Sequence, residues 1–518
     1  MRLGAAAVAV AALAFAFAYP MQVNGYNQNA HYAFVRALYD GKPYVDKALG
    51  EIGEVSTRDI SEFEGHTYAT KAPGMALVTL PVFAVVEATG MRTTGDPTRV
   101  IWALHLWASA LAAVGLVLLV LWLGNRLEPG LGLAAAVTLG LGTLVLPFAT
   151  LFFSHVLSAF FGFAAFALLF RERAGPQRLV LVGAAGALAG YAVAIEHPLV
   201  FVGFVLGAYG IARTDWLRRG LAYTAGVAVG IAPLLLFNTW AFHNPLHFTY
   251  EDNLTAPGID PGRGFFGFGV PSPAITWDLL FSAMGLLVLT PVLALGVAGI
   301  VFMWRRNRAE ALVVAAVIAA YLVYNSSLRY FSPFGGLGPP RYLFTLIPFA
   351  ALPLALAYRR IPLTTLGLAL VSAFQMVLVT ATGPLASYDW DWLTRVRAKE
   401  FALTAASLVN VTGWYTILPF LLAAAVAAAA AFLGSRGVEV RLAELPLAGG
   451  ALALWAVAAL AADNPNGKPP GGSYVLALAL AAMGTVVAVA LVARRASQSV
   501  STTPTTKRTA EQSGQVTA

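Results

Sequence analysis

Cysteine is absent from the 518 residues, which excludes disulfides, zinc–thiolate sites and iron–sulfur clusters. Charge is scarce as well. Only 11% of the residues are Asp, Glu, Lys or Arg, less than half the roughly 25% of a soluble domain. No internal repeat is found, which weighs against a transporter built from two similar halves. The formal charge of +8 does not point to nucleic acid, because the basic residues stand in short clusters between apolar runs, where the positive-inside rule puts them.

What is present is hydrophobicity, 58% of the chain. Apolar runs fall near 3–19, 74–91, 100–123, 131–149, 152–170, 178–194, 198–212, 220–241, 279–304, 311–326, 342–358, 362–381, 414–434, 446–462 and 474–494. Each can satisfy its backbone internally as a helix, which hydrocarbon demands. The predicted fold is an all-α polytopic membrane protein of about 13–15 transmembrane helices. The first run, behind Arg2, is read as a retained span rather than a signal peptide, because so many spans follow.

Arginine clusters at 171–178, 213–219, 305–308, 359–360, 436–441 and 494–495 mark alternate loops and define a cytoplasmic side. The loops at 195–198, 242–278, 327–341, 382–413 and 463–473 then face outward. Counting forward from Arg2 disagrees with this by one crossing between 74 and 170. One run there is expected to be re-entrant or broken, at Pro81 or Pro147. Residues 1–413 are expected to form the main module, with its first external loop at 20–73. Further helices follow at 414–495, and 496–518 is expected to be a disordered cytoplasmic tail.

That first loop holds seven of the 25 carboxylates: Asp40, Asp46, Glu51, Glu54, Asp59, Glu62 and Glu64. It also carries Lys42, Lys47, Arg58, Lys71, His31 and His66. A polar loop of this length is more often functional than passive. Ionisable groups near membrane depth are costly and ask for a reason. His155, the pair Glu196–His197 and Arg341 all map to the same side as the loop. Interfacial snorkelling or a helix-to-helix hydrogen bond would account for any one of them, and the latter is expected of His105. Together they suit other work. A carboxylate at that surface can act as general base on a hydroxyl, while Arg and Lys can hold a phosphate. That fits sugar transfer from a lipid-linked phosphate. The run Gly264–Gly269 lacks the strand-to-helix setting of a dinucleotide site.

Four stretches resemble the glycosyltransferases of the C superfamily (GT-C), in particular the protein-mannosyltransferase and aminoarabinose-transferase kind. They are Asn27–Leu38 with Asp40-Gly41, Glu64–Gly74, Tyr191–Pro198, and Gly335–Tyr342 with its G-G…G-P-P-R-Y. The resemblance implies a polyprenyl-phosphate sugar donor and a lipid, polysaccharide or protein acceptor. It implies a plasma-membrane enzyme with its site on the extracytoplasmic side. It assigns Lys71 and Arg341 to the donor phosphate, with His66 and Tyr342 nearby, and sets Glu196 and His197, beside His155, along the membrane-side cavity. Tyr388–Trp392 is offered either as a sugar-stacking loop or as an interfacial aromatic belt.

One departure matters. Where the superfamily has an acid before the first-loop tyrosine, this chain has Asn27, Gln28 and Asn29, and an amide is no base. The catalytic acid must come from elsewhere in the loop, with Asp46 and Asp59 as candidates and Glu64 behind them. The same departure keeps a catalytically inactive homologue open, alongside a lipid-linked-sugar transporter or flippase. A divalent cation, Mg²⁺ or Mn²⁺ on carboxylates and water, stays open as a cofactor.

Overall fold

The apolar runs close their backbone hydrogen bonds as helices, and a computed structural model shows how these pack. It describes residues 2–22, 25–52, 57, 59–90, 97–247, 249, 269–328, 340–383, 391–435, 438–463 and 471–501, with side chains from 3 to 495. Among the described residues the only sheet is a two-stranded hairpin. Eight helices are long and apolar enough to cross a bilayer singly, two bent pairs do so jointly, and five shorter apolar helices accompany them. This is the predicted all-α polytopic architecture.

The first helix, α1 (Arg2–Ala18), is alanine-rich and packs beside Trp414–Gly434. A Cβ at Gly434 would come within 2.9 Å of Ala5 Cβ, so small residues set the spacing. The same principle joins Leu179–Ile195 to Trp216–Phe242 more tightly. A Cβ at Gly226 would lie 2.0 Å from the Gly183 carbonyl oxygen, and one at Gly186 would lie 2.1 Å from that of Tyr223. Neither position admits a side chain at this distance.

The first loop folds as α2 (Tyr26–Tyr39), α3 (Asp46–Ile52) and the hairpin β1 (Ile60–Phe63) and β2 (His66–Ala69), then enters α4 (Gly74–Ala88). Pro81 lies inside α4 without ending it. The broken run is 131–149 instead. It stops at Gly142, turns extended at Thr143, and resumes as the short helix Val145–Ala149 that contains Pro147. Thr143 makes the break: its hydroxyl donates to the Leu139 carbonyl at 2.6 Å and accepts from the Val145 N–H at 3.2 Å. Residues 150–153 then run irregularly up to the helix Ser154–Arg173. The run 279–304 is also split, with a 90° bend at Thr290-Pro291 between Leu289 and Val292. The final helix extends to Ser501, past the start expected for a disordered tail.

Two buried polar ties complete the frame. His105 bonds to the carbonyls of Trp102 and Phe17, the helix-to-helix link expected of it. Arg219 and Glu172, both almost fully buried, form a two-pronged ion pair with 2.7 Å bonds. Glu172 and His155 sit at opposite ends of Ser154–Arg173, about 25 Å apart at 1.5 Å per residue. The arginine-rich loops and the acidic loop thus belong to opposite ends of the bundle.

Candidate active site

The site starts with a turn. Glu64 and Gly65 both have positive φ, 50° and 79°, the geometry of a two-residue hairpin connection that favours glycine. It sets the register Phe63↔His66 through Ile60↔Ala69. One further rung, Thr70 N–H to the Asp59 carbonyl at 3.0 Å, places Asp59 across from Thr70 and beside Lys71. Lys71 Nζ donates to Asp59 Oδ2 at 2.7 Å, with the two side chains 11% and 32% exposed. Asn27 Nδ2 donates to the same oxygen at 3.3 Å. The α2 amide therefore holds the acid supplied at the foot of the hairpin.

Helix α2 is fastened to the membrane part by side-chain amides. Gln28 Oε1 accepts the Phe152 N–H at 2.8 Å, and Gln22 Nε2 donates to Thr150 Oγ1 at 2.9 Å. These bonds occupy the irregular 150–153 segment that the break in the preceding run creates. His31, one turn after Asn27 and so on the same face, is buried beside Phe152 with ring centroids 5.8 Å apart. Neither of its ring nitrogens has a hydrogen-bond partner among the described residues. At the other end of the loop Gly74 lets α4 touch the end of Leu179–Ile195. A Cβ there would come within 2.6 Å of the Ala194 carbonyl, and the Tyr191 hydroxyl donates to the Gly74 carbonyl at 2.9 Å.

Glu196, in extended backbone after that helix, collects three donors from the first turn of Ser154–Arg173. Ser154 Oγ donates at 2.6 Å, Ser158 Oγ at 3.1 Å, and His155 Nδ1 pairs with Glu196 Oε1. Arg341 opens a 3₁₀ turn, Arg341–Leu346, and is buried. Its Nη2 donates to the Tyr342 hydroxyl at 3.0 Å, and its guanidinium lies 4.9 Å from the Tyr342 ring centre and 6.0 Å from that of Phe153. His155 shares those two neighbours, at 6.0 and 5.9 Å between ring centres.

Electrostatics link the halves. Burial pushes the Asp59 carboxyl up, but the charge and hydrogen bond of Lys71 and the charge of Arg341 outweigh it and hold it below the ordinary carboxylate value. Burial and the Lys71 charge hold His31 well below the ordinary 6.5, against the opposing pull of Asp59. At neutral pH the cluster therefore presents an ionised acid, two cations and a neutral imidazole.

Of the residues singled out from sequence, the structure gathers Asp59, Lys71, Arg341, Tyr342, His155 and Glu196. His197 begins the following 3₁₀ turn, within reach of the Glu196 charge. Three others stand apart. Asp46 is exposed and bonds His66 Nδ1 and the Thr67 N–H, both at 2.7 Å, tying α3 to β2. His66 stacks on Tyr44 at 3.9 Å. Glu64 sits at the hairpin tip, 65% exposed, 3.9 Å from His243. Hairpin pairing explains the outcome, since it spends Asp46 and His66 on each other. Trp392 is buried at 2% exposure, so it offers no open stacking face; 388–390, 264–268 and 335–339 lie outside the described residues. Asn27 and His31 are the residues sequence reasoning passed over, although their spacing of four on one helix face was a usable signal. Among the described residues no three His, Asp or Glu side chains gather as metal ligands.

Fold and cluster together define a multi-pass membrane protein with a cluster of acid and cation side chains at one end of its helices. No protein family matches the chain by sequence profile, and no curated protein matches it. Among solved structures it is similar to ArnT from Cupriavidus metallidurans bound to undecaprenyl phosphate, with 16% identity over 95% of this chain and 76% of that one and a TM-score of 0.48. It is also similar to the oligosaccharyltransferase AglB from Archaeoglobus fulgidus in complex with an inhibitory peptide and a dolichol-phosphate, with 10% identity, 84% and 55% coverage and a TM-score of 0.43. The chain spans about half the length of that second protein.

Proposed function

We propose that the protein is an integral-membrane glycosyltransferase of GT-C type. It takes a sugar from a polyprenyl-phosphate donor and passes it to a hydroxyl-bearing acceptor at the extracytoplasmic face of the plasma membrane. The observation that carries this reading is the Asp59–Lys71 pair at 2.7 Å beside the hairpin, within reach of the charge of Arg341 on a 3₁₀ turn far away in sequence. The four family-like stretches support it, since each contributes a residue to the site: Asn27, Lys71, Glu196 and Arg341.

The arrangement suggests how the parts work. With no substrate present Lys71 is held by Asp59. A donor phosphate, with its tail in the bilayer, competes for Lys71 and gains a second cation in Arg341. As the phosphate takes up the lysine charge, the carboxylate loses the partner that most depresses its basicity. Asp59 is then the stronger base for the acceptor hydroxyl, which attacks the anomeric carbon while the lipid phosphate leaves. Asp59 Oδ2 keeps its hydrogen bond from Asn27, which fixes the orientation of the carboxylate.

The test is transfer from a polyprenyl-phosphate sugar in membranes containing the full chain. Asp59→Asn should lower the rate by about 100-fold or more, the usual worth of a general base. Asp46→Asn should stay within about twofold, because its bonds are local. Normal expression with undiminished transfer in Asp59→Asn would remove Asp59 as the base.

A further inference from the structure

Glu196 has three donors and every one comes from a single helical turn, 154–158. The carboxylate is therefore held in place, and it in turn fixes His155 through Nδ1. The far nitrogen, Nε2, is left buried with no hydrogen-bond partner among the described residues, on a residue 7% exposed. If Glu196 and His155 served only to staple two helices, a buried polar atom would be stranded for no return, which folded proteins largely avoid.

Ring geometry says which way that atom looks. The two nitrogens of an imidazole point away from each other, so a ring with Nδ1 on Glu196 turns Nε2 from that helix end. The neighbours it shares are Phe153 and Tyr342, the two rings against which the Arg341 guanidinium lies. Arg341 and His155 thus flank one aromatic wall. A carboxylate at Nδ1 is the counter-charge that a ring donating from both nitrogens requires, and partners of this kind orient histidines elsewhere. His31, the other buried imidazole without hydrogen bonds, lies close enough for its charge state to respond to His155.

We propose that His155 is a ligand of the lipid-linked phosphate: held by Glu196 at Nδ1, it donates a hydrogen bond from Nε2–H to a phosphate oxygen beside Arg341. Glu196 is its positioning residue. This rests on the donor class given under Proposed function. The histidine supplies what Arg341 and Lys71 lack, a donor fixed by a buried partner rather than carried on a flexible stem. As the sugar departs and negative charge grows on the phosphate, that bond strengthens.

The experiment uses the full chain labelled with [¹⁵N]histidine in lipid nanodiscs, titrated with undecaprenyl phosphate. One Nε2 resonance should move on binding and be missing from His155→Gln. That variant should bind about tenfold more weakly or worse, the worth of one hydrogen bond to a charged group. Glu196→Gln keeps the size and the serine hydroxyls, so it serves where His155→Gln fails to fold. There the same resonance should lose most of its response. If wild type binds the lipid while no Nε2 resonance moves, or Glu196→Gln leaves the response intact, His155 is a staple and this inference falls, leaving the proposed function standing. If wild type does not bind undecaprenyl phosphate at all, both fall.

Discussion

At Asp59 burial and charge pull in opposite directions, and charge prevails because Lys71 stands at 2.7 Å with Arg341 behind it. At His31 burial and the Lys71 charge outweigh the pull of Asp59, and that has a measurable consequence. Its folded value lies below the ordinary 6.5, so between the two values the unfolded chain binds a proton that the folded chain does not. Stability is then full above about pH 6.5 and falls as the pH drops below it. Thermal unfolding in detergent from about pH 7.5 to about pH 5 should show this decline, and His31→Gln should flatten it. An equally steep decline in the variant would mean that another group titrates there. In the sequence Lys71 and Arg341 stood out through the family-like stretches that contain them, Glu64–Gly74 and Gly335–Tyr342. Sequence alone could not choose between Asp46 and Asp59. Both are loop aspartates, and only the pairing of Thr70 with Asp59 decides which one meets the lysine.

Helix existence was legible in the runs themselves, since an apolar stretch of this length has few alternatives in a bilayer. Breaks were less so. Proline was the expected cause between 74 and 170. Pro81 is absorbed within α4, whereas Pro147 follows the break at Thr143 by four residues, the spacing at which its ring would meet that carbonyl. The Thr143 hydroxyl does the capping. The hairpin went unread although Ile60–Ala69 alternates and carries a glycine at its turn, because attention to long apolar runs passes over four-residue strands. The glycine seam between Leu179–Ile195 and Trp216–Phe242 gives the sharpest test at this level. Gly226→Val drives a side chain into the Gly183 carbonyl, and overpacking of this kind costs about 1–3 kcal/mol or more. The melting temperature should fall by several degrees. Gly203→Ala, where a Cβ meets nothing within 4 Å, should leave it unchanged or slightly raised. Equal melting temperatures for the two variants would contradict the seam.

Across the molecule the beginning and the later part of the chain are fastened together. The Tyr19 hydroxyl donates to the Thr416 carbonyl at 2.8 Å, Met21 N–H to the Leu403 carbonyl at 2.7 Å, and α1 lies along Trp414–Gly434. The expected module 1–413 therefore borrows a wall from the helix that follows it. A chain ending at 413 should give little monodisperse protein by size exclusion, whereas one ending at 440 should recover most of it. Comparable recovery of both would make the borders expected from sequence self-sufficient after all. The contact also has a consequence for biosynthesis. Tyr19 and Thr416 are 397 residues apart, and a ribosome adds about 5–20 residues per second. One flank of α1 must therefore wait on the order of half a minute for its neighbour, lodged meanwhile against lipid or the insertion machinery. Closure of this seam is thus a delayed event, held back until Trp414–Gly434 has itself been made.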